Sequence, residues 1–337
     1  MRERSIVSDI STLLPLFISG LLCIGLSFLL WQKTTTDPTF VTTLNEVSIV
    51  FISISGFLSA IIMVYLVAAA MSMKRNRTTA IDSLSKVTQK MHHFRNIVEL
   101  LLRSKMWLSG LKEYIDEEFS GLTFFDVKEF YKGKSKLAIE FLQENHHYAD
   151  TENLYLELKS LLMTHPREKS LPEAIKYPRA YANEIVQKWL EHKCGSGLWY
   201  YFGYKYGIYK ESLDYNAVFE RHQEKIMTLA HSIDAEAFED SSFNEVFLSK
   251  LGEYMSQEVI PKLLQFQEKT GRRVPGMLRY LYIIFLVLII AGVLLPLLHL
   301  LFSFTIIALV ISYALVISTL FFISISLLPF LSREINR

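Results

Sequence analysis

The chain has 337 residues, of which 51% are hydrophobic, 13% aromatic and 20% charged, with a formal net charge of +1. So small a net charge supplies no global basic field for nucleic acid, and two cysteines cannot build a disulfide scaffold. The apolar excess lies in four runs near the two ends, with ordinary polar sequence from 74 to 276 between them. That distribution excludes a secreted enzyme, a disordered tail protein and a DNA-binding module.

Residues 11–31 and 47–72 carry no charge, and neither do 280–298 and 304–330. A helix needs roughly 20 apolar residues to cross the ~30 Å hydrocarbon layer, so each run is long enough to span it. The last two are separated by only five residues. Pro296, His299 and Ser303 mark the break of a tight helical hairpin. The first run follows Arg2 and Arg4 as a signal peptide would, but Trp31, Gln32 and Lys33 stand where small residues would mark cleavage, so it is expected to remain.

Lysines and arginines near the span ends set the orientation. One set of flanks holds Arg2, Arg4, Lys74, Arg75, Arg77, Lys269, Arg272, Arg273, Arg279, Arg333 and Arg337; the other, residues 32–46 and 299–303, holds Lys33 alone. By the positive-inside rule both termini and the whole 74–276 segment face the cytoplasm. The expected fold is an all-α membrane protein. A membrane pair (1–73) and a membrane hairpin (277–337) flank a cytoplasmic helical domain (74–276).

The second span is expected to continue past its basic stop signal. Leu84, Val87, Met91, Phe94, Val98 and Leu101 recur at steps of three and four, the seam of a coiled coil or a core-facing helix. That helix is expected to reach about Phe119 and end at Gly121. Further helices are expected at 134–146, 151–164, 178–193, 214–233 and 243–269. Pro166, Pro172 and Pro178 imply an irregular connection, and Ser242 with Glu245 forms a capping box for the last helix. Pro261 is expected to kink that helix.

Residues 194–209, CGSGLWYYFGYKYGIY, differ from the rest. Alternation of Phe202, Tyr204 and Tyr206 suggests a short strand or extended loop. Two readings stand. Trp199, Tyr204 and Tyr206 could stack on a nucleotide base while Lys205 and Lys210 meet phosphate. Alternatively the rings plug the space between helices or rest at the lipid headgroup level.

No catalytic or metal-binding motif appears. The adjacent pairs His92–His93 and His146–His147 point about 100° apart on a helix and do not chelate by themselves. His147 and Asp150 could share a helical face but lack a third ligand. No Walker loop, CxxC or GxSxG is present. No cofactor, metal site or enzymatic activity is therefore expected.

The spans carry hydroxyl stripes instead. Thr305, Ser312, Thr319 and Ser326 lie seven apart in the fourth, and Ser48, Ser55 and Ser59 follow at seven and four in the second. Such faces either pack helices closely or line a pore when several subunits assemble. No Asp, Glu, Lys or Arg lies inside a span, which argues against a proton-coupled transporter.

Two N-terminal spans, a large helical cytoplasmic portion and two C-terminal spans resemble the order in bestrophin-type anion channels, and Ser55-Gly56-Phe57-Leu58-Ser59 echoes their pore helix. The arrangement is also similar to small membrane effectors of bacterial defence systems. Calcium binding and chloride selectivity are not carried over. The resemblance implies a homo-oligomeric channel or pore-forming effector of the bacterial inner membrane, gated through its cytoplasmic domain, with a cytoplasmic signalling protein or a nucleotide as trigger. The alternative from a different class is a non-conducting scaffold or receptor whose bundle docks a protein partner. Duplex nucleic acid is not an expected partner.

Overall fold

The computed structural model describes residues 10–132, 135–144, 148, 150–166, 168, 174–239, 241–271, 274–303 and 305–335. It opens with α1 (Ile10–Thr36) and the 66-residue α2 (Pro38–Arg103). Short helices α3 (Leu111–Glu113), α4 (Phe124–Lys128) and α5 (Lys136–Gln143) lead to α6 (Thr151–Leu161) and α7 (Asn183–Glu191). Then follow α8 (Ser196–Leu198), α9 (Tyr206–Tyr209), α10 (Glu220–Ile233), α11 (Glu245–Tyr254) and α12 (Ile260–Gly271). The chain closes with α13 (Gly276–Ile289), α14 (Leu295–Phe302) and α15 (Ile306–Ile335). Four π-helical segments interrupt this order, at Tyr114–Glu118, Trp199–Tyr204, Met255–Val259 and Ile290–Leu294. Among the described residues the one extended pairing is an isolated bridge between Trp107 and Leu213. The protein is thus all-α, with four helices long and apolar enough to cross a membrane.

Several elements end elsewhere than their sequence implies. The expected outer loop at 32–46 is helical except at Asp37. Thr34, Thr35 and Thr36 bond back to the carbonyls of Trp31 and Gln32, and Asp37 accepts from Thr39 N and Oγ1. Pro38, whose missing N–H costs nothing at a first helical position, starts the next helix at once. Nor does α2 reach Phe119. Leu101 O accepts both Ser104 Oγ (2.7 Å) and Trp107 Nε1 (3.0 Å), and Asp214 N then donates to Met106 O at 3.0 Å. The expected helix at 214–233 begins only at Glu220, after a 3₁₀ turn at Tyr215–Ala217. Asn244, not Ser242, caps α11, its side chain accepting from Phe247 N. Pro261 stands in the first turn of α12, directly after the π-helical turn Met255–Val259. His146 and His147 lie outside the described residues.

Two compact units result: Met1–Arg75 with Arg272–Arg337, and Asn76–Gly271. In the second, Val87, Met91, Phe94, Val98 and Leu101 of α2 are buried in one core. That core is built around α6, buried at every position but Asn153 although its sequence TENLYLELKSL is half polar. Its polar groups at Tyr155, Glu157, Lys159 and Ser160 find partners, as buried polar groups generally do. Lys159 Nζ meets Asp116 Oδ1 at 2.5 Å, and Tyr155 OH donates to Asp116 Oδ2. At the C-terminal end of the helix the fully buried Arg95 donates to Leu161 O, Leu162 O and Lys176 O. A guanidinium there also complements the negative end of the helix dipole.

In the first unit, Ile284, Leu288, Ala291 and Val316 form one cluster, with Phe51, Leu58 and Ile62 of α2 packed against it. Leu44, Leu309 and Tyr313 form another. Large apolar side chains dominate the outward surface of its spans, among them Phe17, Ile24, Phe57 and Val64, as suits lipid-facing helices.

Candidate functional site

The aromatic segment of the second unit is helical, not the strand its alternation suggests. Gly195, with φ +99°, turns the chain in a conformation that a side chain would strain. Beyond it α8 runs directly into the π segment Trp199–Tyr204. The start of this helix is held by Glu157 of α6, whose Oε1 accepts Gly195 N at 2.6 Å and Gly197 N at 2.9 Å. A carboxylate on unpaired N–H groups at a helix start is favourable by charge and by hydrogen bonding. Burial nevertheless pushes its pKa up to about 7, against the pull of the two amides and of Lys128. Cys194 lies alongside, fully buried, its thiol pushed well up by burial and by Glu157. Such a thiol is inert.

The glycines of this stretch are contact points. A Cβ on Gly252 of α11 would lie 2.5 Å from Gly195 O and 2.9 Å from Trp199 N, so two backbones meet there. Gly203 sits equally tightly on Ser249. Anchored this way, the segment buries Leu198, Tyr201 and Phe202 and presents Trp199, Tyr200 and Tyr204 outward. Trp199 and Tyr204 stack at 6.0 Å with 14° between planes, and Lys205 Nζ stands 5.0 Å over the Tyr204 ring. Tyr206 is half-buried, packed on Phe202 and Tyr215, and Lys210 is exposed. Of the five candidate ligand residues, then, Trp199, Tyr204 and Lys205 come together and Tyr206 turns inward.

A second polar junction joins α2 to α10 and α11. Lys90 Nζ donates to Asp234 Oδ2 (3.1 Å) and Tyr254 OH (2.9 Å), while Tyr254 OH donates to Asp234 Oδ2 (2.6 Å). The Tyr254 hydroxyl and the amide of Ala237, with Lys90, hold the Asp234 carboxyl down at about 2. Among the described residues no group of three or more His, Cys, Asp or Glu is placed to hold a metal.

In the membrane unit the hydroxyl stripes turn inward. Ser48, Ser55, Ser59, Ser312 and Ser326 are buried within a single chain. Ser48 Oγ bonds to Leu44 O and lies 3.3 Å from Tyr313 OH. Ser59 Oγ donates to Ser55 O, Ser312 Oγ to Ala291 O, and Ser326 Oγ lies 2.9 Å from Tyr280 OH. Ser55 packs on Gly292, where a Cβ would approach the Ser55 Cβ to 2.6 Å. Gly292 and Ala291 belong to the π segment Ile290–Leu294, and the Ala291 carbonyl accepts from Ser312 Oγ. Thr319 is half-buried and bonds to Leu315 O; Thr305 is exposed. Sequence reasoning missed Tyr280, Tyr313 and Gly292, which complete these contacts. Gly292 carried a signal as a lone glycine in an apolar helix, a mark of close approach.

These features define an all-α, multi-pass membrane protein with a helical domain on the side marked cytoplasmic by its flanking charges. No family model, curated protein or solved structure matches this chain.

Proposed function

We propose that the protein is a homo-oligomeric channel or pore-forming effector of the bacterial inner membrane, gated through its cytoplasmic helical domain. The observation that carries this reading is α2, one uninterrupted helix that supplies both a membrane span with the Ser48, Ser55 and Ser59 face and the Val87–Leu101 seam of the cytoplasmic core. A rearrangement that moves this seam has a covalent route to Ser55. Two packed states of one element are the usual form of such a switch. With the serines buried against their own chain, the described state is the closed one, and opening requires the Ser55–Gly292 contact to part. Thr305 and Thr319, less enclosed by their own bundle, support a lining role for α15 between subunits. A setting in antiphage defence rests on the order of spans and on nothing finer, and a signalling protein or a nucleotide is the trigger it implies.

A second reading is favoured by the same burial. A scaffold or receptor needs its hydroxyls only for packing, which Ser48, Ser55, Ser59 and Ser312 already perform within one chain. Ion flux from purified protein in liposomes separates the two. The channel reading expects flux that Thr319→Leu alters with the oligomer intact, and that a Gly-Pro pair replacing Thr78–Thr79 uncouples from the cytoplasmic domain. A monomer in lipid, or a sealed ring under every trigger, leaves the scaffold.

A further inference from the structure

The third membrane helix has two distinct faces. Ile284, Leu288 and Ala291 are buried in the bundle, whereas Tyr282, Ile283, Leu286 and Ile290 are exposed. At about 100° per residue these four lie on one stripe, and Arg279, also exposed, stands at its cytoplasmic end. From Tyr282 to Phe302 the helix rises about 30 Å at about 1.5 Å per residue, the thickness of the hydrocarbon layer. Ser303, with a left-handed backbone, ends it on the outer side. Tyr282 therefore lies at the inner boundary of that layer, and Arg279, almost one turn earlier, lies in the headgroup region. The neighbouring helix agrees. Ser55 of α2 packs on Gly292 and the two helices run in opposite directions, so Tyr65, ten residues after Ser55, stands level with Tyr282, ten residues before Gly292. Tyr65 is 47% and Tyr282 52% exposed, as befits tyrosines of an interfacial belt.

We propose that Arg279 and Tyr282 form a binding site for an anionic glycerophospholipid of the cytoplasmic leaflet, with its phosphate on the guanidinium and an acyl chain along Ile283, Leu286 and Ile290. A guanidinium presents paired N–H donors that match two phosphate oxygens, so it holds a phosphodiester in one orientation, which a lysine ammonium does not. Among the described residues no carboxylate is paired with Arg279. The Tyr282 hydroxyl, on the same face and deeper in the layer, is placed to donate to a phosphate or ester oxygen. That of Tyr280 instead turns into the bundle, 2.9 Å from Ser326 Oγ. Lys74 and Arg75 of α2 add positive charge beyond the same boundary. Their field opposes a headgroup that carries its own ammonium, so a lipid of net negative charge is favoured over phosphatidylcholine. The site belongs to the membrane unit alone and stands whether or not the protein conducts.

The test uses the full chain purified in detergent and stripped of native lipid, and reads retention of added phosphatidylglycerol or phosphatidylcholine by native mass spectrometry. Wild type is expected to retain phosphatidylglycerol in preference to phosphatidylcholine. Arg279→Gln should weaken that retention about tenfold, as the loss of a charge-assisted hydrogen-bond pair implies, and Tyr282→Phe should weaken it less. Arg279→Lys keeps the charge and the orientation signal, and should fall between wild type and Arg279→Gln. If Arg279→Gln fails to insert or fold, Arg279→Lys and Tyr282→Phe decide, and no loss in either overturns the proposal. Arg77→Gln removes the same charge outside the site and is expected to leave retention unchanged. Equal retention of the two lipids overturns the site, and so does an equal loss in Arg279→Gln and Arg77→Gln, which would reduce the effect to overall charge. Displacement of phosphatidylglycerol by inorganic phosphate also overturns it, since that would identify a site for free phosphate in which the acyl chain takes no part.

Discussion

The Glu157 carboxylate and the Gly195 amide meet at 2.6 Å in the interior of the cytoplasmic unit, joining the central helix to the start of the aromatic segment. The pair conflicts with itself: the amides favour a charged acceptor while burial disfavours the charge, and burial wins, with the pKa raised from 4.5 to about 7.

A raised acid pKa means that the folded protein binds a proton the unfolded chain has already released. Between about pH 4.5 and 7 stability from this group therefore falls as pH rises, and above 7 the loss is complete. The total is on the order of 3 kcal/mol at about 1.4 kcal/mol per unit. Glu157→Gln keeps an acceptor for both amides and cannot ionise. Its melting temperature is expected to vary less than the wild type's across this window and to match or exceed it at pH 8. Glu157→Ala strands both donors and should lower stability at every pH, by about 1–3 kcal/mol for each stranded group. Parallel pH slopes for wild type and Glu157→Gln would refute this account.

Glycines of the aromatic segment and its neighbour α11 separate by what surrounds them. At Gly252 a methyl would meet Gly195 O, Leu198 Cβ and Trp199 N between 2.5 and 2.9 Å. Two of these are backbone atoms that cannot step aside, so Gly252→Ala is expected to destabilise by about 1–3 kcal/mol or more through overpacking. Gly207, inside α9 with nothing within 4 Å, is the control. There Ala should raise stability by roughly 0.5–1 kcal/mol from helix propensity. Thermal melts of both variants in one detergent decide the matter.

Arg95 supports a third expectation. Its guanidinium, 0% exposed, serves carbonyls at Leu161, Leu162 and Lys176 and lies 5.4 Å from the Tyr181 ring. Lysine has one nitrogen and cannot reproduce the planar fork. Arg95→Lys is therefore expected to destabilise by about 2 kcal/mol or more, since it leaves buried carbonyls unsatisfied. Denaturant titration followed by the near-ultraviolet signal of the buried aromatics checks it. A change under 0.5 kcal/mol, roughly the range of a surface substitution, would show that the carbonyls find other donors.

The membrane architecture was legible because composition alone carries it: twenty uncharged apolar residues have few other fates in water. The Val87–Leu101 seam was legible for a similar reason, since its steps of three and four are a one-dimensional trace of a buried face. What failed depended on partners distant in sequence. Nothing near Arg103 announces that the chain will leave the helix and meet Leu213 and Asp214, whose amide bonds to Met106 O. The alternation of Phe202, Tyr204 and Tyr206 looked like a strand, but the segment packs on α11 through Gly203 and on α6 through Glu157, and those contacts impose a wide helix. Helix α6 is the clearest case. Its half-polar sequence reads as a surface helix, and it is central because Asp116, Arg95 and the Gly195–Gly197 amides supply its partners. The hydroxyl stripes were visible as a pattern, yet their facing groups, Tyr313, Tyr280 and Gly292, stand on other helices.

That last group gives a prediction tied to function. Gly292 lies in the π segment of the third membrane helix, and its Cα faces Ser55 so closely that an added methyl would come within 2.6 Å of Ser55 Cβ and 3.3 Å of Val316 Cγ2. Gly292→Ala should therefore force the α2 contact apart. It is expected to lower the thermal stability of the membrane unit in detergent, by about 1–3 kcal/mol as for other overpacked sites. Gly20→Ala and Gly25→Ala in α1, with nothing within 4 Å, should have no such effect. Removing the opposing side chain with Ser55→Gly should restore most of the loss in the double variant, giving a coupling of about 0.5–3 kcal/mol for residues in direct contact. If this contact also seals the closed state, Gly292→Ala in liposomes should raise basal ion flux without any trigger, and the double variant should return it toward the wild-type level. Stability that changes while flux stays at zero in both variants would keep the packing account of Ser55 and remove it from any gate.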